Sequence, residues 1–427
     1  MSESLTFTQA IQASCEAVYY ALTNAAALTE WFCDDARINL QENGRLHVWW
    51  RNHYYVTGEF TRLVPNEALA FTWFGRGEPG VTQVAIELAD ENGRTQVQVT
   101  HTGFGQGEAW DAALPGYKKG WESGLANLKS VLETGLDKRV YDVPFIGILP
   151  TAQLTAEQMA ELGSDAVGGI RIGGAVGGTG AAAAGLQEED VLVSLAGTPI
   201  PTFQDIGKAV SAHKAGDEIA VVLVRDGVTQ TAHMKLSQRP APNVPDTAVA
   251  YAETVRELYD QLRTELDDLL ADVTEEEAAH VLDEDGWNVK EVLAHLVQSE
   301  RNLQLSLALQ ISDQPAAGFP NNPPAWTKAV TAVYPTLGDM VALWQRTLAE
   351  TVALVANFPD TLVQRKATYL NTGTTLLLGF PVIRVPISDK SEKPSRRRDR
   401  RNGCLAVAGK PLLLLLEARV VSEHFWR

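Results

Sequence analysis

The chain reads as a multidomain α+β protein. It comprises an antiparallel sheet closed by a long helix, a small β-rich sandwich or barrel-like module, and an all-α four-helix bundle that is incomplete. Three observations predict this. Between residues 45 and 102, runs rich in aromatic and β-branched residues precede apolar residues spaced by three and four from Pro115 to Glu133. The stretch Gly168–Leu195, GGIRIGGAVGGTGAAAAGLQEEDVLVSL, passes from a strand pattern through glycines and a small-residue turn into a second strand. After Pro240, Pro242 and Pro245, apolar residues return at helical spacing. At 427 residues and 45% hydrophobic content, the chain has room for about three domains at roughly 100–200 residues each.

In the first domain, Ser14 is placed to cap a helix carrying Val18, Tyr19 and Leu22, and a second short helix is expected over 24–31. Strands are expected over 45–51, 54–60, 68–74, 82–88 and 95–102, with Asn92-Gly93 as a hairpin turn. The alternation places Val84, Ile86 and Leu88 on one face and Val97 and Val99 on one face of the neighbouring strand. Tyr117, Trp121, Leu125, Leu128 and Leu132 then mark a long amphipathic helix ended by Gly135. Val18-Tyr-Tyr-Ala-Leu-Thr, Leu28-Thr-Glu-Trp-Phe, Gly58-Glu-Phe, Phe71-Thr-Trp, Val99-Thr-His-Thr-Gly-Phe and Gly120-Trp-Glu-Ser-Gly-Leu-Ala-Asn-Leu resemble the helix-grip START-like (SRPBCC) superfamily, nearest to the activator-of-heat-shock-protein-90-ATPase homologue family. That resemblance implies a curved sheet around the long helix and a pocket between them, with Trp49, Tyr55, Phe71, Trp73, Phe104 and Trp121 as its walls. The same aromatics also fit a filled core. His101 stands at a strand end, but no Ser, Cys or paired carboxylate lies at a spacing that completes a catalytic set with it.

The middle stretch resembles the PDZ domain of HtrA-type bacterial proteases, most closely in GAAAAGLQEEDVLVSLAGTPI. The resemblance implies that Phe145, Ile146, Gly147 and Ile148 form the loop that holds a peptide's terminal carboxylate on backbone N–H groups. The helix opened by Thr202, with Asp205 in the capping-box position, is the expected opposite wall through Ile206 and Val210. The glycines at 173, 174, 177, 178 and 180 are not a P-loop, because no Gly-Lys-Ser/Thr follows.

In the third domain, one helix is expected from Thr247 with Val255, Leu258, Leu262, Leu266 and Leu269 on a stripe. A second is expected from Asn288 with Glu291 in the capping box, and a third over 337–355. Proline makes 315–324 a loop. Trp287-Asn-Val-Lys-Glu-Val-Leu-Ala-His-Leu-Val-Gln-Ser-Glu resembles the second helix of DinB-like bundles, in which a histidine here and a His-x-x-x-His pair in the fourth helix hold a divalent metal. His295 matches the first ligand. Pro381 and Pro386 interrupt the segment that starts as the fourth helix, and no other histidine occurs between His295 and His424, so the expected site is incomplete. Asp283-Glu-Asp-Gly lacks the spacing of a calcium loop. An open flank around Trp344 and Leu348 is therefore expected.

Composition bounds the partners. The net charge is −17, yet residues 381–427 carry 11 Lys and Arg against 5 Asp and Glu, leaving −23 on the first 380. That balance argues against a nucleic-acid partner. The shift past Phe380 reads as a change of reading frame or as a native basic tail. Cys15, Cys33 and Cys404 make no C-x-x-C pair, the N-terminal residues lack a signal-peptide pattern, and the apolar run 412–416 is far short of the ~20 residues a membrane helix needs. The expectation is a cytoplasmic binding or adaptor protein with domains over 1–139, 140–240 and 246–380. Its first domain would take an apolar small molecule or a partner's surface and its PDZ-like domain peptide or protein C-termini, with no cofactor unless the bundle completes a divalent-metal site. The alternative is a metal-dependent DinB-type transferase or hydrolase acting on a thiol or small molecule, impaired in this chain.

Overall fold

The computed structural model describes residues 4–281, 287–314, 324–373 and 376. The first domain runs β1 (Leu5–Ile11), α1 (Cys15–Thr23), α2 (Ala25–Trp31), β2 (Asp35–Ile38), β3 (Arg45–Trp49), β4 (Tyr55–Val64), β5 (Ala68–Gly75), β6 (Thr82–Asp90), β7 (Thr95–Thr102), α3 (Glu108–Thr134) and α4 (Lys138–Tyr141). Ser14 and Asn24 cap α1 and α2 through their side chains, and Asn92 and Gly93 both take positive φ in the hairpin between β6 and β7. The sheet is antiparallel in the order β1-β7-β6-β5-β4-β3-β2. One face, carrying Val48, Val56, Phe60, Ile86 and Val99, packs against the Tyr117, Trp121, Leu125 and Leu128 stripe of α3. The helix begins at Glu108, earlier than the expected Pro115, which lies inside it. Proline costs a hydrogen bond in a helix, but burial of Leu114 and packing of Trp110 against Phe104 hold the preceding turns.

The middle domain runs β8 (Ile148–Thr155), α5 (Ala156–Glu161), β9 (Gly168–Ala175), α6 (Gly180–Ala183), β10 (Glu188–Leu195), β11 (Thr198–Pro199), α7 (Phe203–Val210), β12 (Glu218–Arg225) and β13 (Val228–Lys235). Its sheet is ordered β13-β12-β10-β9-β8, with β11 on β10, so β8 is an edge. Pro150 sits in that edge strand, flanked by register shifts, where its missing N–H is tolerated. Asp190, fully buried, is held by both Nε and Nη2 of Arg225 at 2.7 Å, and Arg225 also donates to Gly185 O, the αL residue that closes the α6 turn.

The third domain contains α8 (Ala248–Leu270), α9 (Glu275–Ala278), α10 (Val289–Ile311), α11 (Pro324–Val333), α12 (Leu337–Ala356), α13 (Asp360–Gln364) and α14 (Lys366–Gly373). Thr247 and Asn288 cap α8 and α10, the latter with Glu291 in a capping box. Helices α8, α10 and α12 share one apolar core. Trp344 and Leu348 are 4% and 5% exposed, which corrects the expectation of an open flank: α8 and α10 already cover that face, and Leu376 also lies in the core. The Asp283–Gly286 stretch, most of the expected 315–324 loop, most of the expected fourth helix and the basic tail lie outside the described residues.

Helix α14 reaches the first domain. Ala367 joins the first core, Lys366 Nζ donates to Glu133 O at 2.6 Å, and Thr368 and Arg365 both engage Glu30. Gly135 ends α3 with φ 78°, and a Cβ there would lie 2.4 Å from Leu370, so glycine serves both the cap and the contact. Burial raises the Glu30 carboxyl above the usual carboxylate range despite its bonds to Thr368 and Arg365.

Candidate functional sites

A cavity of about 550 Å³ lies between α2, the sheet and α3. Trp31 and Phe32 enter from the end of α2, Trp50 and Tyr54 from the turn joining β3 to β4, Trp73 from β5, and Tyr117 and Trp121 from α3. Their rings form a continuous wall: Tyr54 to Trp50 at 5.3 Å, Trp50 to Phe32 at 5.2 Å, Phe32 to Trp121 at 6.1 Å and Trp121 to Trp73 at 5.7 Å between centroids. Trp50 is fixed by donating to Phe32 O at 2.6 Å, and Trp31 by donating to Ala21 O at 2.9 Å.

Of the six aromatics expected as walls, Trp73 and Trp121 line this cavity. Trp49 and Tyr55 are paired on the face opposite the buried Val48–Val56 pair, so they turn away from it. Phe71 and Phe104 are core residues packed on Trp73 and on Tyr117 respectively. The sequence did hold a signal for the missed lining. Gly116, Gly120 and Gly124 recur every four residues on α3 and all face the cavity. Each glycine costs roughly 1 kcal/mol in a helix, so a stripe of them marks space that side chains do not enter. A Cβ built on Gly116 or Gly120 meets nothing within 4 Å.

His101 is 0% exposed beneath the cavity. Its Nδ1 accepts from Trp121 Nε1 at 3.0 Å, so Nε2 carries the proton and donates to Thr82 Oγ1 at 2.7 Å, while Thr82 donates to Trp73 O. Burial lowers its pKa to about 4. A neutral histidine with both nitrogens engaged orients two cavity tryptophans and is not poised for proton transfer.

In the middle domain, Ile146, Ile148, Ile206 and Val210 belong to one apolar cluster. The helix is tied to the edge strand by Phe203 N donating to Gln153 Oε1 at 2.7 Å. Gly147 takes φ 76°, its carbonyl accepts from Val176 N, and Phe145 pairs with Ser237 while Arg239 lies 5.1 Å over its ring. The expected loop, open edge and helix are thus contiguous.

In the bundle, His295 is 2% exposed on α10, with its ring 5.1 Å from Trp287. Nearby on the same helix, the fully buried Glu300 accepts from Tyr259 Oη at 2.7 Å and Thr351 Oγ1 at 2.6 Å. Among the described residues no three His, Cys, Asp or Glu side chains come together to hold a metal, and most of the segment expected to bring further ligands to His295 lies outside them.

Family comparison matches residues 12–133 to Activator of Hsp90 ATPase homolog 1-like protein, 158–236 to the PDZ domain and 258–380 to the DinB superfamily. The chain joins a START-like domain of the Hsp90-ATPase-activator type, an HtrA-like PDZ domain and a DinB-superfamily domain, in that order. Its curated relatives include the serine protease Do-like HtrA of Lactococcus lactis subsp. cremoris, 30% identical over 163 residues, which are 37% of this chain and 35% of that protein. The subsp. lactis protein of the same name is 31% identical over 99 residues, 22% of this chain and 24% of that one. The chain thus spans about a third or less of the length of these relatives. Similar solved structures include an HSP90 activator from Plasmodium falciparum, at 21% identity and TM-score 0.27, covering 30% of this chain and 95% of that one. The Aha1 dimer from Colwellia psychrerythraea is 22% identical with TM-score 0.27, covering 31% and 96%. Among the described residues, no helix is long and apolar enough to cross a membrane.

Proposed function

We propose that this chain is a cytosolic binding and adaptor protein in which the START-like cavity holds a small molecule with an apolar body and the PDZ domain takes the free C-terminus of a partner. The observation that carries the first part is the cavity itself: about 550 Å³, walled by seven aromatic side chains and kept open by a glycine stripe. That volume and lining are those of ligand pockets. The PDZ reading is supported by the edge position of β8 beside α7, with Phe145, Ile146, Gly147 and Ile148 as the carboxylate loop and Ile206 and Val210 as the opposite wall. The protease activity named for the HtrA relatives is not part of this proposal.

The test of the cavity is uptake of a neutral apolar dye such as Nile red by the full chain, and its loss in Gly120→Leu. The leucine enters open space, so helix stability should hold or rise by up to about 1 kcal/mol while uptake disappears. Uptake that persists unchanged in a folded Gly120→Leu chain counts against the cavity. For the PDZ domain, peptides with a free apolar C-terminus should bind in the micromolar range, about −8 kcal/mol, and their amidated forms should not. Equal binding of the two forms rejects the carboxylate loop.

A further inference from the structure

The cavity holds a charge that its walls leave unbalanced. Two charged side chains line it, Arg139 and Glu78. Arg139 is neutralised: its guanidinium takes both oxygens of Asp137 and also donates to Cys33 O through Nη1 and to Thr29 O through Nη2. Glu78 is held differently. Its Oε1 accepts from Tyr54 Oη and from Trp73 Nε1 at 3.2 Å, and its Oε2 accepts from Gly75 N at 2.7 Å. These donors are all neutral, so they orient the carboxylate without cancelling its charge. The seat is built for it: a Cβ on Gly75 would fall 2.3 Å from both Glu78 Oε1 and the Tyr54 hydroxyl. Tyr54 and Tyr117 are both raised well above the usual phenol range, first by burial and then by this carboxylate, and the buried Tyr117 hydroxyl faces it without a hydrogen bond of standard geometry.

A carboxylate offers roughly four lone-pair sites, and three are filled here, two on Oε1 and one on Oε2. The remaining site on Oε2 is matched by an N–H donor from a ligand. The aromatic wall adds to the same preference, because ring faces carry negative potential and attract a cation placed over them. We propose that the cavity selects an organic ammonium, an amine with an aromatic or alkyl body, whose N–H donates to Glu78 while its body lies against Trp50, Trp73 and Trp121. This rests on the cavity being a ligand site, and adds the chemical class of the ligand.

The experiment compares 2-phenylethylammonium with propylbenzene, which replaces the ammonium by a methyl group, as displacers of Nile red from the full chain at neutral pH. The ammonium is expected to bind at least about tenfold more tightly, a difference of about 1.4 kcal/mol. In Glu78→Gln, which keeps an acceptor but no charge, the ammonium should lose about tenfold or more while propylbenzene stays within about twofold. Gly120→Leu should abolish both, which locates them in the cavity. Propylbenzene binding as tightly as the ammonium, or neither displacing the dye, overturns the proposal while leaving the cavity a site for neutral apolar molecules. No dye uptake at all overturns the cavity reading as well. The comparison of the two compounds in the unaltered chain decides the matter even where Glu78→Gln fails to fold.

Discussion

Two carboxylates divide this molecule into a hollow domain and a sealed one. Glu78 stands at the wall of the START-like cavity, half-buried and tied by neutral donors. Glu300 lies in the middle of the DinB-type bundle, fully buried, with Tyr259 from α8 and Thr351 from α12 closing on it from either side. Both are surrounded by aromatic and apolar side chains. The difference lies in the third dimension of the packing. In the bundle, α8, α10 and α12 converge on the carboxylate; in the START-like domain, Gly116, Gly120 and Gly124 of α3 carry no side chain that could fill the space beside it. A buried acid is structural where its neighbours converge on it, and available to a ligand where they stop short.

The sharpest way to break that contrast is to remove each acid. Glu300→Ala should destabilise the bundle by about 3 kcal/mol, because it leaves the Tyr259 and Thr351 hydroxyls without their acceptor and opens a void among packed helices. Glu78→Gln should cost well under that, since solvent or ligand reaches the site. Hydrogen-exchange protection of α10 and β5 amides reads the two domains separately. Comparable losses in both would erase the distinction.

The next largest effect is a pH dependence confined to the hollow domain. His101 is neutral when folded, with its pKa lowered to about 4, and near 6.5 when unfolded. Between those values the unfolded chain binds one proton more, so stability falls as pH is lowered through the window, by about 2 kcal/mol between about pH 6 and 4.5. The groups packed on the ring, Trp73, Phe104, Tyr117 and Trp121, carry no charge to offset this. Glu30 has the opposite sign, because its raised carboxyl takes up a proton earlier in the folded state. The His101 contribution is therefore the part of the pH profile that disappears in His101→Gln, followed by exchange protection of β7. An unchanged profile in that variant would show that the histidine titrates freely. Smallest is the gain of up to about 1 kcal/mol expected for Gly120→Leu, whose sign tests whether the hollow is maintained at the expense of helix stability.

The order of the three domains, most strand positions, the helix caps at Ser14 and Asn288 and the helix starts at Asn24 and Thr247 were legible in the sequence, because capping and periodicity are local properties. Strands β1 and β2 were not. Leu5–Ile11 has Thr and Gln between its few apolar residues, and Asp35–Ile38 is four residues with two charges, so each owes its conformation to pairing with β7 or β3. The aromatic richness of the first domain was equally plain, but which rings face the cavity was not. A strand's alternation shows that Trp49 and Val48 point oppositely, whereas only the sheet's curvature over α3 decides which side holds the hollow.

What the sequence determined by itself was the inventory: three folding units, a glycine stripe on one helix, a Phe-Ile-Gly-Ile loop, and His295 on a helix of the bundle. The tertiary structure decided how those parts meet. It placed Trp31, Phe32, Trp50 and Tyr54, which lie far from α3 in the chain, around the same space as Trp121, and it brought α14 back onto the end of α3 through Ala367 and Gly135. The physical reason is that burial and hydrogen bonding at these points depend on partners more than forty residues apart. No local pattern encodes such a partner, while every local pattern is satisfied by several packings.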